Sequence, residues 1–337
     1  MTAASLHISL IAIPDAMLST LSGIFDVLSS FGTLSALDDA VPSVSPFRVE
    51  IVGAREGPVD LASGLPIPTH RSIGDIAATD IVIVPSLLVP GERWEAGRYP
   101  ALVEWLGAMH RQGAVLCSAC SGLFLLAETG AFDDAPATLH WGYAAKFRKS
   151  FPAVPVTPER ALVVTGDRRQ LISSGASTSW HDLVLHLVAR HAGPAAALAM
   201  AHFYALNWHR DGLAPYIIFT PPRDHGDAAI LDAQNWVASH YSVASPVEEM
   251  VKRSHLAQRT FKRRFSKATG LAPVVYVQHL RVEEAKRQLE RTKAPIDEIS
   301  WKVGYEDPAF FRRLFKRITG LTPGSYRRTF DLRVIAA

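Results

Sequence analysis

Residues 259–273 read Arg-Thr-Phe-Lys-Arg-Arg-Phe-Ser-Lys-Ala-Thr-Gly-Leu-Ala-Pro, and residues 309–323 read Ala-Phe-Phe-Arg-Arg-Leu-Phe-Lys-Arg-Ile-Thr-Gly-Leu-Thr-Pro. Superposed, Phe261 meets Phe311, Phe265 meets Phe315, Lys262-Arg263 meets Arg312-Arg313, and Thr269-Gly270-Leu271 meets Thr319-Gly320-Leu321. Tyr276 and Tyr326 extend the match. One supersecondary unit is used twice. In each copy phenylalanines at i and i+4 form an apolar face and basic residues take the other side, which predicts an amphipathic helix. Gly270 and Gly320 end these helices, each with a proline three residues on.

Upstream of each copy lies a second amphipathic segment, opening at Pro246 in one case and Pro295 in the other. Short turns follow, Ser254-His255-Leu256 and Val303-Gly304-Tyr305. Helix, turn and basic helix is the layout of a helix-turn-helix, whose second helix enters the DNA major groove. Two such motifs are expected, at about 247–268 and 296–318. Gln258, Arg259, Lys262 and Arg263 are the expected DNA contacts of the first, and Ala309, Arg312, Arg313 and Lys316 those of the second. Phe261, Phe265, Phe311, Phe315 and Trp301 are expected in the core by their spacing. A long helix from Val274 to Arg291 separates the motifs.

Charge divides the chain the same way. Residues 241–330 hold 19 Lys/Arg against 9 Asp/Glu, an excess of +10; the chain as a whole is +3, which leaves −7 elsewhere. A basic module fused to an acidic one points to a polyanion partner for the carboxyl-terminal part alone. With 337 residues the chain has length for two or three domains. No apolar run reaches a membrane span, and no basic start precedes the first apolar run, so a cytoplasmic protein without a membrane partner is expected. Cys117 and Cys120 are the only cysteines, too few for a disulfide framework.

The amino-terminal two-thirds alternates strand and helix. Strands are expected at 6–13, 47–53, 80–85 and 113–118, a short edge piece at 65–70, and a hairpin at 161–174. Helices are expected at 16–31, near 99–112, and at 178–192 and 194–208. This predicts a parallel α/β sheet flanked by helices. The strand at 113–118 runs through Ala119-Cys120-Ser121-Gly122 into an apolar helix, the form of a nucleophile elbow. Cys120 could act as a nucleophile with His140 as base, or the elbow could line a ligand pocket. The Cys117–Cys120 spacing also fits a redox pair or half a metal site, but Cys117 falls within a strand and no second ligand cluster accompanies it, so neither metal nor cofactor is expected. Trp141, Trp180 and His181 stand near the elbow, as ligand contacts or as ordinary packing.

Residues 229–330 resemble the DNA-binding domain of AraC/XylS transcription regulators. The pattern Val303-Gly304-Tyr305, Phe310-Phe311-Arg312-Arg313-Leu314-Phe315-Lys316, Gly320-Leu321-Thr322-Pro323 and Tyr326-Arg327 carries the likeness. Residues 6–208 resemble the PfpI-like branch of the class I glutamine amidotransferases, in Ile13-Pro14, Gly23, Ala119-Cys120-Ser121-Gly122, Thr138-Leu139-His140-Trp141 and Asp182-Leu183. The combination is similar to regulators of the GlxA type. The resemblance implies a flavodoxin-like sensor and dimerisation domain over 1–210 and a DNA-binding domain at 229–330; Gly212, Pro215, Pro221, Pro222 and Gly226 punctuate the stretch between, so a linker is expected at 211–228. It also implies promoter DNA, a small-molecule effector and RNA polymerase as partners, a homodimer, and effectors such as amino-acid derivatives or quaternary amines. Catalytic relatives place an acidic residue where Thr20 stands and a glycine pair where Ser86-Leu87 stands. A DNA-binding regulator whose effector pocket draws on Thr20, Ser86, Cys120, Ser121 and His140 is therefore expected. A cysteine-dependent amidase or hydratase with an accessory DNA-binding domain is the alternative.

Overall fold

The computed structural model describes residues 5–91 and 93–332 and divides into two compact units, one ending at Leu213 and the other beginning at Ala214. The first unit is built on nine strands: β1 (Leu6–Ala12), β2 (Phe47–Gly53), β3 (Val59–Asp60), β4 (Pro66–Ile67), β5 (Arg71–Ser72), β6 (Ile81–Val84), β7 (Val115–Ala119), β8 (Leu162–Thr165) and β9 (Leu171–Ser174). Seven form one sheet in the order β5-β2-β1-β6-β7-β9-β8. All its pairings are parallel except β8 with β9, the hairpin at the edge. β6 is Ile-Val-Ile-Val, buried throughout, as a central parallel strand covered on both faces must be. The sheet is flanked by α1 (Leu18–Ser29), α2 (Phe31–Leu34), α3 (Pro100–Arg111), α4 (Leu123–Ala127), α5 (Trp141–Ser150), α6 (Trp180–His191) and α7 (Pro194–Phe203). Chain order reverses at β1, with β2 on one side and β6 on the other, so a crevice opens at the carboxyl ends of the strands there.

Two expectations need correction here. The piece at 65–70 does not edge the main sheet: β4 pairs antiparallel with β3, and the edge is β5. The apolar helix expected to run to 208 stops at Phe203. Ala205 takes a φ of 51°, which a continuing helix forbids. The amides beyond it turn to α6: that of Asn207 donates to His181 Nδ1 at 3.3 Å and that of His209 to Asp182 Oδ1 at 3.0 Å. His209 Nδ1 lies 2.6 Å from Asp182 Oδ2 in a buried pair. Apolar composition extended the helix; these polar ties end it.

The second unit is helical: α8 (Ala228–His240), α9 (Pro246–Arg253), α10 (Gln258–Thr269), α11 (Pro273–Arg291), α12 (Ile296–Lys302), α13 (Pro308–Thr319) and α14 (Pro323–Phe330). It has two separate apolar clusters. One gathers Ile230, Val237, Met250, Phe261, Phe265 and Tyr276; the other gathers Val282, Leu289, Ile299, Phe311, Phe315 and Tyr326. α11 contributes to both. Of the stretch 211–228 expected as linker, the part from 214 on is tied to this unit. Lys286 Nζ donates to the Ile217 carbonyl at 2.6 Å, and Phe219 stacks on His279 with ring centroids 4.8 Å apart. Among the described residues no helix is long and apolar enough to cross a membrane.

Candidate nucleic-acid interface and effector site

The repeated Thr-Gly-Leu is a helix stop built twice with the same bonds. Thr269 Oγ1 donates to the Phe265 carbonyl at 2.8 Å and accepts from the Leu271 amide at 3.2 Å; Thr319 does the same with Phe315 and Leu321 at 2.8 and 3.3 Å. Gly270 and Gly320 then take φ of 76° and 78°, where glycine carries no steric cost. Tyr276 packs edge-on against Phe265, and Tyr326 against Phe315, at 5.1 and 5.5 Å. With Phe261, Phe265, Phe311 and Phe315 fully buried, α10 and α13 can turn only one face outward.

That face is basic. Gln258, Arg259, Lys262 and Arg263 are exposed on α10, and Ala309, Arg312, Arg313 and Lys316 on α13. Arg312 is held in an ion pair with Asp297 of α12. Arg259, Lys262, Arg263, Arg313 and Lys316 have no ion pair among the described residues. Arg264, next in sequence to Arg263, turns the other way: it grips the Asp227 carboxylate at 2.9 and 2.7 Å and holds α10 against the start of α8. This fork holds the Asp227 carboxyl below the usual carboxylate range. Trp301, expected in the core, is 60% exposed. On so short a helix Ile299 and Val303, one turn apart, take the buried stripe and leave Trp301 between them facing out.

The first turn shows a further repeat invisible in the residue names. His255 takes φ of 54°, and Gly304, in the same place in the second motif, takes 92°. Both turns need a left-handed residue, and only the second has a glycine.

At the elbow, β7 ends in a short 3-10 turn, Cys120–Gly122, that leads into α4. Cys120 has φ of 53°, the strained left-handed conformation of such turns. Gly122 is required: a Cβ there would lie 2.5 Å from the Val84 carbonyl oxygen. Thr20, on the first turn of α1, Ser86, after β6, and Cys120 and Ser121, after β7, are all buried. Ser121 Oγ accepts from the Leu87 amide at 2.8 Å and donates to the Leu87 carbonyl at 2.6 Å. The Met17 amide, one turn before Thr20, donates to the Ser86 carbonyl at 2.8 Å.

Burial pushes the Cys120 thiol up, against hydrogen bonding from Ser121, the His140 backbone and the Ser86 hydroxyl, which pulls it down. The Ser86 hydroxyl is buried with no conventional partner among the described residues, so the thiol is the weak one left to it. The His140 group that acts on the thiol is its backbone; its ring stacks on Trp141 at 3.9 Å, and Nδ1 caps α5 by accepting from the Gly142 amide at 3.1 Å. Burial lowers the His140 pKa. Tyr143, half-buried near the start of α5, has its hydroxyl pKa raised by burial, and next by coupling to Cys120, which places it on this rim. The Trp-Gly-Tyr spacing after His140 was the available signal for it. Cys117 is fully buried in β7, and burial pushes its thiol up as well. A cavity of about 670 Å³ opens near the same end of the sheet. It is lined by Ile13 and Pro14 after β1, Arg55 and Asp60 after β2, and Arg98 and Tyr99 before α3, not by the elbow residues.

Residues 26–190 match the DJ-1/PfpI family, and residues 250–329 match a helix-turn-helix domain. The chain is 26% identical to the HTH-type transcriptional regulator CdhR of Pseudomonas aeruginosa, over 86% of this chain and 84% of that one. It is 25% identical to the HTH-type transcriptional regulator GlxA of Rhizobium meliloti, over 66% of this chain and 68% of that one. Among solved structures, a putative transcriptional regulator protein from Vibrio parahaemolyticus superposes with a TM-score of 0.50 at 17% identity, covering 59% of this chain and 99% of that one, which shows a shared fold. The chain thus carries a DJ-1/PfpI-type domain over residues 26–190 followed by a helix-turn-helix domain over residues 250–329.

Proposed function

We propose that this protein is a sequence-specific DNA-binding transcription regulator controlled by a small molecule in its first unit. The observation that carries the DNA reading is the duplicated face: α10 and α13, fixed by identical buried phenylalanines, each present exposed Lys and Arg outward. Arg259, Lys262 and Arg263 on α10, with Arg313 and Lys316 on α13, contact DNA; Gln258 and Ala309 stand at the amino-terminal turns that meet base edges. Such a regulator works in the cytoplasm as a homodimer, with promoter DNA and RNA polymerase as partners. The fit to relatives named as transcription regulators supports this reading.

The first unit senses rather than catalyses. DJ-1/PfpI folds include enzymes, and three features argue against turnover in this chain. The Leu87 amide, in the stretch where catalytic relatives carry a glycine pair, is spent on Ser121. His140 Nδ1 is spent on a helix cap. The thiol is kept neutral by burial. The effector binds at the carboxyl ends of the strands, against His140 and the Cys120 elbow with Thr20, Ser86 and Ser121; the cavity lined by Arg55 and Tyr99 is the other candidate. The test is operator binding and promoter response in Cys120→Ala and Arg55→Ala. Loss of effector response without loss of DNA binding in Cys120→Ala supports the elbow, and the same in Arg55→Ala moves the effector to the cavity. Substrate turnover that Cys120→Ala abolishes sinks the sensor reading.

A further inference from the structure

We infer that Arg281 is the positioning residue that sets the spacing of the two recognition helices on DNA; this rests on the DNA-binding reading above. The two motifs have separate apolar clusters, and no shared core holds them in register. What joins them is α11. Tyr276 and Val277 belong to the first cluster, Val282 and Ala285 to the second, and Arg281 stands at the changeover.

Its side chain is only 8% exposed. Nε donates to the Tyr241 carbonyl at 2.7 Å and Nη2 to the Val243 carbonyl at 2.8 Å, both in the connection from α8 to α9. Nη1 donates to the Gly304 carbonyl at 2.9 Å, in the turn of the second motif. The guanidinium lies 4.8 Å from the Tyr305 ring centroid. At Gly304 a Cβ would lie 2.5 Å from the Ser242 carbonyl oxygen, so the two backbones touch where Arg281 ties them. No carboxylate pairs with Arg281 among the described residues; carbonyl dipoles and the ring face hold its charge.

The geometry assigns a function to this arrangement. A planar fork with fixed donors is suited to hold three carbonyls at once, two before the first motif and one in the turn of the second. An apolar residue would fill the space and leave the motifs joined by helix packing alone. Arg281 is buried beneath the interface, not on it, so it acts on DNA through the placement of α10 and α13.

The test uses the full chain and a duplex selected by the wild-type protein from a randomised library. The duplex is remade with about five base pairs, half a helical turn, inserted between the two protected segments. Wild type should prefer the native spacing strongly. In Arg281→Met that preference should fall roughly fivefold or more, while affinity for a duplex carrying one half-site stays within about twofold. Arg281→Lys, which keeps the charge but not the fork, should lose part of the preference; if Arg281→Met does not fold by circular dichroism, this variant decides. Undiminished spacing preference overturns the inference, as does an equal loss on single and paired sites, which marks a general role in folding. A wild type that binds duplex without spacing preference overturns it and leaves the DNA reading standing. A wild type that binds no duplex overturns that reading itself.

Discussion

Ser121 and Leu87 close on each other: the serine hydroxyl accepts from the leucine amide at 2.8 Å and donates to its carbonyl at 2.6 Å. The pair stitches the elbow to the loop after β6 and occupies the Leu87 amide. Ser121→Ala leaves two buried backbone groups unpaired and should cost about 1–3 kcal/mol. Urea denaturation of the full chain, followed by first-unit tryptophan fluorescence, measures it. An unchanged midpoint would mean that the pair holds nothing.

The thiols set a pH dependence. Burial raises the folded pKa of Cys117 and Cys120, whereas an unfolded thiol titrates near 8.5, roughly. Above that pH the folded chain retains protons that the unfolded chain gives up, so this stabilisation is full below about pH 8.5 and declines as pH rises further. Melting temperatures at increasing alkaline pH should fall, and less steeply in Cys120→Ala. Iodoacetamide at neutral pH should modify Cys120 far more slowly than free cysteine; rapid labelling would show an accessible thiolate.

His255 and Gly304 share a left-handed turn but not a residue type. The strain on His255 is on the order of 1 kcal/mol, partly offset in a glycine variant by the greater freedom of the unfolded chain. His255→Gly should leave stability level or raise it by up to about 1 kcal/mol. Gly304→Ala should cost about 2 kcal/mol or more, since φ of 92° and the Ser242 carbonyl both oppose a Cβ. Thermal melts of the two variants check the contrast in sign.

Among the exposed arginines, those without an ion pair should matter more than the one that has a partner. Arg263→Ala or Arg313→Ala should weaken binding by about 1–3 kcal/mol with relaxed specificity if the arginine reads a base, or flatten the salt slope by about one if it holds phosphate. Arg312→Ala should weaken it less, because its charge is shared with Asp297. Titrations at several salt concentrations separate these outcomes. Phe315→Ala, by contrast, should cost about 3–5 kcal/mol of stability.

Much of this was legible in the residues. The i, i+4 phenylalanines, the Thr-Gly-Leu stops and the basic partners fixed both recognition helices before any contact was known, and a strand as apolar as Ile81–Val84 could only be central. What stayed hidden depends on partners remote in sequence. Trp301 looked like core because spacing along a short helix does not reveal which stripe is inward. Nothing in the residues near Arg281 singles it out; its carbonyls come from 40 residues before it and 23 after. For His140 and Cys120 the residues allow either a base and a nucleophile or a pocket lining, and only the folded chain shows the ring nitrogen capping a helix while the backbone faces the thiol. Tyr143 entered the site from one helical turn beyond the motif that drew attention.

The most direct measurement is a footprint of the full chain on a duplex that it selects from a randomised library. The expected result is two protected major-groove segments per protomer, about 34 Å apart, with affinity falling steeply as salt rises and lost when Arg259, Arg263 and Arg313 are replaced by alanine together. Binding that shows no sequence preference, or that survives the triple replacement unchanged, would contradict the assignment of α10 and α13 to DNA.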